Sequence, residues 1–229
     1  MRTRALRLIA AAAAVLAVGG LAGCAADASA QPDASPTAAA HVTLADRLAR
    51  ADADDPLAIG AVDAPLTILE WMDFSCPYCA MFTVDTMPTL IEEYVDSGLV
   101  RYEFHDVAKL GEESMEAAIA ARAAGEQGRY VEYVEALYAA SPRDGHPVFT
   151  EESLVGFAEA AGVADIDGFR SRLGADDLRA AVEDSQAAAY AAGIESIPSF
   201  VVGDEYLLGA VSVDEFRAVV DAQLDAAGA

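Results

Sequence analysis

The stretch that decides the fold runs from Leu66 to Cys79 and reads LTILEWMDFSCPYC. Its first seven residues are mostly apolar, β-branched or aromatic, which predicts a buried strand. Pro77 favours the first position of a helix, so a helix is expected to begin beside Cys76. A cysteine there meets unpaired N–H groups and the positive end of the helix dipole, and both favour the thiolate. Because the thiolate is the reactive form, Cys76 is predicted to be the nucleophile.

The helix dipole alone changes the acidity of Cys76 only modestly. It supplies roughly 0.3–1 kcal/mol, and up to about 2, which lowers a thiol pKa by about one unit. A larger shift needs N–H···S contacts that a sequence does not reveal.

Two alternative roles for the Cys76–Cys79 pair are a structural disulfide and a metal site. A disulfide closing so short a loop contributes about 2 kcal/mol, against about 4.7 for a 100-residue loop. A metal site lacks partners, because the histidines, His41, His105 and His146, are scattered along the chain. Dithiol–disulfide exchange is therefore favoured, and no metal is expected.

The first 23 residues have the features of an export signal. Three arginines precede the uncharged apolar stretch 8–21, and small residues then lead to Cys24. Leu21-Ala22-Gly23-Cys24 resembles a bacterial lipobox, which implies that Cys24 is lipidated after cleavage. Plain secretion and an uncleaved membrane anchor are the alternatives. Removing Cys24 from the count leaves one cysteine pair, as expected of an exported protein.

Residues 24–42 are predicted to form a disordered tether, because 25–40 have no apolar periodicity. Residues 43–229 are then long enough for one domain with its own core. The net charge is −24, and it becomes −27 without the signal, which carries three arginines and no acid. This acidity argues against nucleic acid and against an anionic membrane surface as direct partners. Contact with the membrane is expected through the lipid only.

The rest of the chain predicts an α/β domain. The helix that begins at Pro77 is expected to continue through Phe82 and Met87 to Tyr94, and the alternating stretch 99–104 predicts a second strand. A strand, a helix and a second strand form a right-handed βαβ unit with parallel strands.

Residues 112–193 are predicted to form an inserted helical subdomain. Residues 199–208 have the pattern of a β-hairpin around Gly203-Asp204. Ser212 and Glu215 predict a capping box that starts the last helix, which is expected to end near Ala226.

This layout of β-α-β, helical insert and β-β-α, with Cys-Pro-Tyr-Cys at the first helix, resembles the thioredoxin superfamily. More narrowly it resembles the DsbA-like thiol oxidoreductases of bacterial envelopes, over about residues 54–226. The matching stretches are 66–79, 121–138 and Ser196-Ile197-Pro198-Ser199-Phe200. The resemblance implies a thioredoxin-like fold with a mixed central sheet and no cofactor. It also implies that the Ile197–Pro198 bond is cis.

The resemblance also assigns the site residues. Cys76, Cys79, Glu70 and Pro198 are the expected catalytic residues, while Pro77 and Tyr78 tune the pair. Glu70 stands six residues before Cys76, where the family places a buried acid that exchanges protons with Cys79. The alternative is a strand residue that points to solvent. Ile197 and Pro198 are expected to line a groove for client chains, and His105 is expected to end a strand outside the site.

The resulting hypothesis is a thiol:disulfide oxidoreductase that introduces disulfides into exported proteins. Its expected partners are reduced or unfolded exported proteins and a quinone-linked membrane protein that re-oxidises the pair. It is expected to be a lipid-anchored monomer on the extracytoplasmic face of the bacterial membrane, with secretion as the second choice. A reductase or isomerase is the alternative within the class, and the isomerase ranks lower because the N-terminal stretch is too short for a dimerisation region. A non-catalytic thioredoxin-fold lipoprotein is the alternative outside it.

Overall fold

A five-stranded mixed sheet lies at the centre of the computed structural model, which describes residues 41–142 and 145–229. The predicted signal, Cys24 and most of the tether lie outside the described residues. The strands are β1 (Ala58–Ile59), β2 (Leu66–Met72), β3 (Val100–Asp106), β4 (Ser199–Val202) and β5 (Glu205–Leu208). Their order in the sheet is β1-β3-β2-β4-β5, with β2 and β3 parallel and the other neighbouring pairs antiparallel. The predicted α/β class and mixed sheet are confirmed.

Helices connect and cover the strands. Five of them lie between β3 and β4, which confirms the helical insert. Among the described residues the helices are α1 (Leu44–Leu48), α2 (Pro77–Asp85), α3 (Met87–Leu90), α4 (Glu112–Gly125), α5 (Tyr130–Ala140), α6 (Glu151–Ala160), α7 (Ile166–Arg172), α8 (Asp176–Ala191) and α9 (Val213–Ala227). No helix in the described part of the chain is long and apolar enough to span a membrane.

The helix after the cysteine pair is interrupted, so the prediction of one helix from Pro77 to Tyr94 is wrong. Helix α2 ends at Asp85, α3 follows it, and a π-helical turn spans Ile91–Val95. Thr86, at the junction, has φ −119° and ψ −50°. Pro88 has no N–H to donate one turn back, which removes a hydrogen bond from the helix interior. The break therefore comes from a proline, and the apolar periodicity continues across it.

Strand β1 was missed by the sequence analysis. Its two residues pair with β3 through Ala58–Glu103 and Ile59–Tyr102, so the partner strand defines it more than its own pattern does. The next residue, Gly60, has φ +85°, and a Cβ there would collide with the carbonyl oxygen of Val100. Only glycine allows the chain to leave the sheet this close to β3.

The two parallel strands are buried almost completely. Strand β3 is buried at all seven positions, including the polar residues Arg101, Glu103 and His105. The alternation of residues 99–104 correctly predicted a strand, but its polar positions face protein. Parallel strands covered on both faces commonly have this burial.

The two faces of the sheet carry separate cores. On one face, Phe82 of α2 and Phe216 of α9 pack against Phe200 of β4, with ring centroids 4.3–5.5 Å apart. The other face carries a smaller core between the sheet and helices α1 and α8, formed by Ala45, Leu69, Trp71, Val107, Ala189, Ile194 and Val201.

The C-terminal elements follow the sequence closely. The hairpin of β4 and β5 turns at Gly203-Asp204 as predicted. Ser212 caps α9 by accepting a hydrogen bond from the Glu215 N–H at 3.3 Å, which is one of the two bonds of the predicted capping box.

Candidate active site

The cysteine pair follows a tight turn at the end of β2. The Cys76 N–H donates to the Asp73 carbonyl oxygen at 2.9 Å, which closes the turn. Cys76 is then the N-cap of α2 and Pro77 occupies the first turn of that helix, as the sequence predicted. Cys79 follows one turn along the same helix, so helical geometry places its sulfur close to that of Cys76.

Asp73 holds this turn in place, and the sequence analysis missed it. One carboxylate oxygen accepts from the Ser75 N–H at 2.8 Å and from the Ser114 hydroxyl at 2.6 Å. The other accepts from the Leu110 N–H at 2.9 Å. The Tyr138 hydroxyl also donates to the Asp73 carbonyl oxygen at 3.0 Å. These bonds join the active-site turn to the helical insert. An acid between the buried strand and the motif was the only available signal.

The two cysteines are both reduced and both largely buried. Cys76 is 6% exposed and Cys79 is fully buried. Cys76 is therefore the more accessible of the two.

The surroundings of Cys76 favour its thiolate. The hydrogen bond from the Cys79 thiol is the largest influence, and it lowers the pKa of Cys76 from 9.0 to about 7 together with the N–H groups of Cys79 and Tyr78. Burial and the charge of Asp73 oppose this shift. The N–H contacts fall short of full capping hydrogen bonds. The shift exceeds what the helix dipole supplies, because the second cysteine contributes most of it.

Cys79 has the opposite tendency. Burial, the hydrogen bond that its thiol donates to Cys76 and the negative charge on Cys76 raise the pKa of Cys79 well above 9.0. The charge of Glu70 adds to the same effect. In the reduced pair Cys76 is therefore the sulfur that ionises first, while Cys79 remains a thiol.

Glu70 is fully buried in the middle of β2, so the solvent-facing alternative is wrong. The Tyr102 hydroxyl donates to Glu70 Oε2 at 2.7 Å, and Oε1 has no hydrogen-bond partner among the described residues. Burial raises the pKa of Glu70 from 4.5 to about 7, and the Tyr102 hydrogen bond partly opposes the shift. A carboxyl group with this pKa exchanges protons readily near neutral pH. Tyr102 was also missed, because nothing in the sequence relates it to Glu70.

The Ile197–Pro198 peptide bond is cis, as the resemblance implied. Pro198 is buried and Ile197 is partly buried, immediately before β4. Because Ser199 pairs with Trp71, Pro198 lies beside the end of β2 that leads to the cysteines. Of the two residues between the cysteines, Tyr78 is 61% exposed and Pro77 is partly buried.

Of the histidines, His105 lies outside the site, as expected, and His146 lies next to it. His105 lies near the end of β3 with its ring against Trp71, on the sheet face opposite Glu70, so it is outside the site. His146, from the insert, was missed: its Nδ1 lies 2.8 Å from the Ser75 carbonyl oxygen, next to Cys76. Within the described ranges no cluster of three or more histidine, cysteine or acidic side chains could hold a metal ion.

A strand that ends in a turn, a dithiol at the start of the following helix and an adjacent cis-proline together define a thiol:disulfide exchange site of the thioredoxin type. A family model described as "Thioredoxin" matches residues 52–222. The chain therefore belongs to the thioredoxin family.

Comparison with relatives and with solved structures indicates which members of the thioredoxin family this chain resembles. The chain is 27% identical over 169 residues to the probable disulfide bond formation protein D of Bacillus cereus, covering 72% of this chain and 77% of that protein. Its fold is similar to the oxidised BdbD of Bacillus subtilis, with a TM-score of 0.69, 23% identity and coverage of 75% of this chain and 94% of that one. It is also similar to Chlamydia trachomatis DsbA, with a TM-score of 0.64, 22% identity and coverage of 72% and 90%. With the cysteine pair described above, these findings make the protein a DsbA-like thiol:disulfide oxidoreductase.

Proposed function

We propose that this enzyme works as an oxidase that passes its Cys76–Cys79 disulfide to reduced or unfolded exported proteins. The observation that carries the proposal is the unequal acidity of the two sulfurs. The hydrogen bond from the Cys79 thiol to the Cys76 thiolate exists only in the reduced pair. It therefore stabilises the dithiol relative to the disulfide, and a stable reduced form makes the oxidised form a stronger oxidant. The name of the Bacillus cereus relative, a disulfide bond formation protein, supports the same direction.

The reaction proceeds by two thiolate attacks. A client thiolate attacks Cys76 Sγ, the Cys76–Cys79 bond breaks, and Cys79 leaves with the electron pair. A second client thiolate then attacks the client sulfur of the mixed disulfide, and Cys76 leaves as a thiolate. The client loses two electrons and the protons of its two thiols, and the enzyme pair gains the two electrons. Both client protons go to solvent, and the departing Cys79 takes its proton from an acid of the enzyme.

Glu70 is proposed to donate the proton that Cys79 takes up as it leaves. A thiol with a pKa well above 9.0 is a poor leaving group unless it is protonated as it departs. Glu70, with a pKa of about 7, is protonated in a large fraction of molecules at neutral pH. It donates when Cys79 leaves and accepts the proton again when the pair is re-oxidised. Pro198 and Ile197 are proposed to line the groove that binds the client chain. Pro77 and Tyr78 are proposed to tune the redox potential of the cysteine pair.

The location and partners of the enzyme are proposed from the sequence. The export signal and the lipobox at Cys24 favour a lipid-anchored protein outside the cytoplasm, where disulfides persist. A quinone-linked membrane protein is proposed to re-oxidise the pair. The enzyme is proposed to act as a monomer without a cofactor.

The direction of the reaction is tested by equilibrium with a glutathione buffer and by refolding of a reduced, disulfide-requiring client. Thioredoxin has a reduction potential of about −270 mV, and we expect this enzyme to have a potential well above that value. We also expect it to speed the recovery of the folded client. A potential near −270 mV without any gain in refolding would identify a reductase. Labelling of Cys76 by a thiol probe at mildly acidic pH excludes a non-catalytic protein, because an ordinary buried thiol would not react.

The roles of the two sulfurs are tested by single replacements. Cys79→Ser is expected to accumulate mixed disulfides with clients, because Cys79 can no longer attack Cys76 and release a bound client, whereas Cys76→Ser is expected to abolish exchange. Mixed disulfides are counted on non-reducing gels. Accumulation in Cys76→Ser instead would reverse the assignment.

The lipid anchor is tested by fractionation of cells. The wild type is expected in the membrane fraction, and Cys24→Ser is expected to be released or left unprocessed. Recovery of the wild type as a soluble protein that begins at a later alanine would contradict lipidation.

A further inference from the structure

A single tyrosine holds one oxygen of the buried acid and leaves the other free. Tyr102 in β3 and Glu70 in β2 project from the same face of two parallel strands, and both side chains are fully buried. The Tyr102 hydroxyl lies 2.7 Å from Glu70 Oε2. Oε1 has no hydrogen-bond partner among the described residues. The two oxygens of this carboxyl group are therefore not equivalent.

The direction of this hydrogen bond follows from the chemistry of the two groups. A charged carboxylate has no proton to give, so the tyrosine donates to Oε2 whenever Glu70 is ionised. In the neutral acid the carbonyl oxygen is a stronger hydrogen-bond acceptor than the protonated oxygen. The Tyr102 hydrogen bond to Oε2 therefore favours Oε2 as the carbonyl oxygen. The neutral acid therefore carries its proton on Oε1.

The groups that face Glu70 come from three elements. They are Tyr102 in β3, Cys79 in α2, and Tyr130 and Tyr138 in α5, each of which interacts electrostatically with Glu70. Tyr130 and Tyr138 are separate from the hydrogen bond on Oε2: the Tyr138 hydroxyl donates to the Asp73 carbonyl oxygen. Burial keeps the pKa of all three tyrosines well above 10, so they stay neutral while Glu70 titrates.

We propose that Tyr102 is a positioning residue that restricts proton exchange between Glu70 and Cys79 to the Oε1 oxygen of Glu70. This inference rests on the proposed role of Glu70. As the Cys76–Cys79 bond breaks, the proton on Oε1 passes to the departing Cys79 sulfur, and Glu70 becomes a carboxylate. Tyr102 continues to donate to Oε2 and stabilises the charge that remains. The tyrosine therefore orients the acid and makes its proton easier to give up.

Tyr102→Phe tests the proposal because it removes the hydroxyl and keeps the ring. Losing a hydrogen bond to the charged form is expected to raise the pH midpoint of Glu70 by about one unit. Two measurements follow this midpoint: the pH dependence of disulfide reduction, and an isotope-edited infrared titration of the glutamate carbonyl band. Tyr133→Phe is the matched control, since this buried hydroxyl donates to the Leu154 carbonyl oxygen in α6. We expect it to leave both measurements unchanged.

The double variant Glu70→Gln/Tyr102→Phe separates the two roles. If Tyr102 acts through Glu70, the double variant has the same pH–rate profile as Glu70→Gln alone. If Glu70→Gln flattens the profile but Tyr102→Phe leaves the midpoint unchanged, the positioning role is overturned and the role of Glu70 stands. If Glu70→Gln does not alter the profile, the proton-exchange role fails, and the inference fails with it.

The wild type supplies a test that does not depend on the folding of a variant. With the proton on Oε1, the carbonyl oxygen of the neutral acid is Oε2, and it accepts the Tyr102 hydrogen bond. Its infrared band is therefore expected below that of a carboxylic acid without such a bond. A band at the position of an unbonded acid would overturn the proposal.

Discussion

Two buried glutamates on adjacent strands show how differently the same side chain behaves in one protein. Glu70 in β2 and Glu103 in β3 are both fully buried, and Glu103 pairs with Leu69, the residue before Glu70. Their side chains project from opposite faces of the sheet. Glu70 accepts one hydrogen bond, from Tyr102. Glu103 accepts three, from the side chain of Arg101 at 2.8 Å and from the N–H groups of Arg50 at 2.9 Å and Ala51 at 3.1 Å.

The number and charge of these donors decide the acidity. Burial raises the pKa of Glu70 to about 7 because one neutral donor does not offset it. Burial also acts on Glu103, but its donors and the charge of Arg50 hold the pKa of Glu103 well below 4.5. His105 Nε2, at 3.6 Å from Glu103 Oε2, also acts to lower the pKa of Glu103. Equal burial therefore gives one acid that exchanges protons and one that stays ionised.

Glu103 has a structural role that follows from its partners. Its bonds to Arg50 and Ala51 attach the segment before β1 to the sheet. Ala51 has φ +51°, a left-handed conformation that is costly for a residue with a Cβ. The hydrogen bond to Glu103 helps to keep it there. Glu103 thus stabilises the fold, whereas burying Glu70 as a charge opposes folding.

The largest effect is expected from removing Glu103. Glu103→Ala leaves the buried Arg101 side chain without its carboxylate, which typically costs about 3–5 kcal/mol of stability. Glu103→Gln, which keeps one acceptor oxygen, is expected to cost less. Urea unfolding followed by circular dichroism measures both. A loss below about 1 kcal/mol for Glu103→Ala would mean that the network does not stabilise the fold.

The next effect is the pH dependence that Glu70 imposes. Because its folded pKa is raised from 4.5 to about 7, the folded state binds a proton more tightly than the unfolded state between these values. Its contribution to stability is therefore greatest below pH 4.5 and falls as the pH rises to about 7. The shift corresponds to about 3 kcal/mol.

The measurement is the free energy of unfolding of the wild type and of Glu70→Gln between pH 4.5 and 8. As the pH rises across this range, the free energy of unfolding of the variant is expected to increase relative to that of the wild type. The reason is that glutamine stays neutral and still accepts the hydrogen bond from Tyr102. Glu103 imposes the opposite slope, since a depressed pKa stabilises the fold above 4.5 and the benefit is lost as the pH falls. A constant difference between Glu70→Gln and the wild type would refute the raised pKa.

The smallest effect is expected at an exposed glutamate. Glu93, in the π-helical turn, pairs with Arg217 of α9, and both side chains are more than one third exposed. Water screens such a pair, so Glu93→Gln is expected to change stability far less than either buried replacement. The remaining change should disappear at high salt, unlike the change at Glu103. An effect as large as that of Glu103→Ala would contradict the dependence on burial.

Much of the fold could be predicted because its signals are local. The strand before the cysteines, the helix start at Pro77, the insert helices and the β4–β5 hairpin each depend on residues close together in the chain. Strand β1 could not be predicted, since two residues form a strand only when β3 pairs with them. The break near Pro88 was missed because the apolar periodicity continues through it.

The burial of the polar residues of β3 could not be predicted from the alternation of polar and apolar residues along the strand. Arg101 and Glu103 alternate with apolar residues, which is the usual pattern of a strand with one face in water. The segment around Arg50 covers that face, about fifty residues earlier in the chain. The signal for burial therefore lay in another part of the sequence.

The chemistry available to this protein follows from its sequence, which places two sulfurs one helical turn apart at the end of a buried strand, with an acid six residues earlier. Tertiary structure alone decided how these groups ionise. It buried Cys79 and Glu70 and brought Tyr102 to Oε2 across the sheet. It also surrounded Glu103 with donors on the opposite face. The physical reason is that a pKa depends on the exclusion of water and on charges and donors a few ångströms away, and folding brings those groups together from distant parts of the chain.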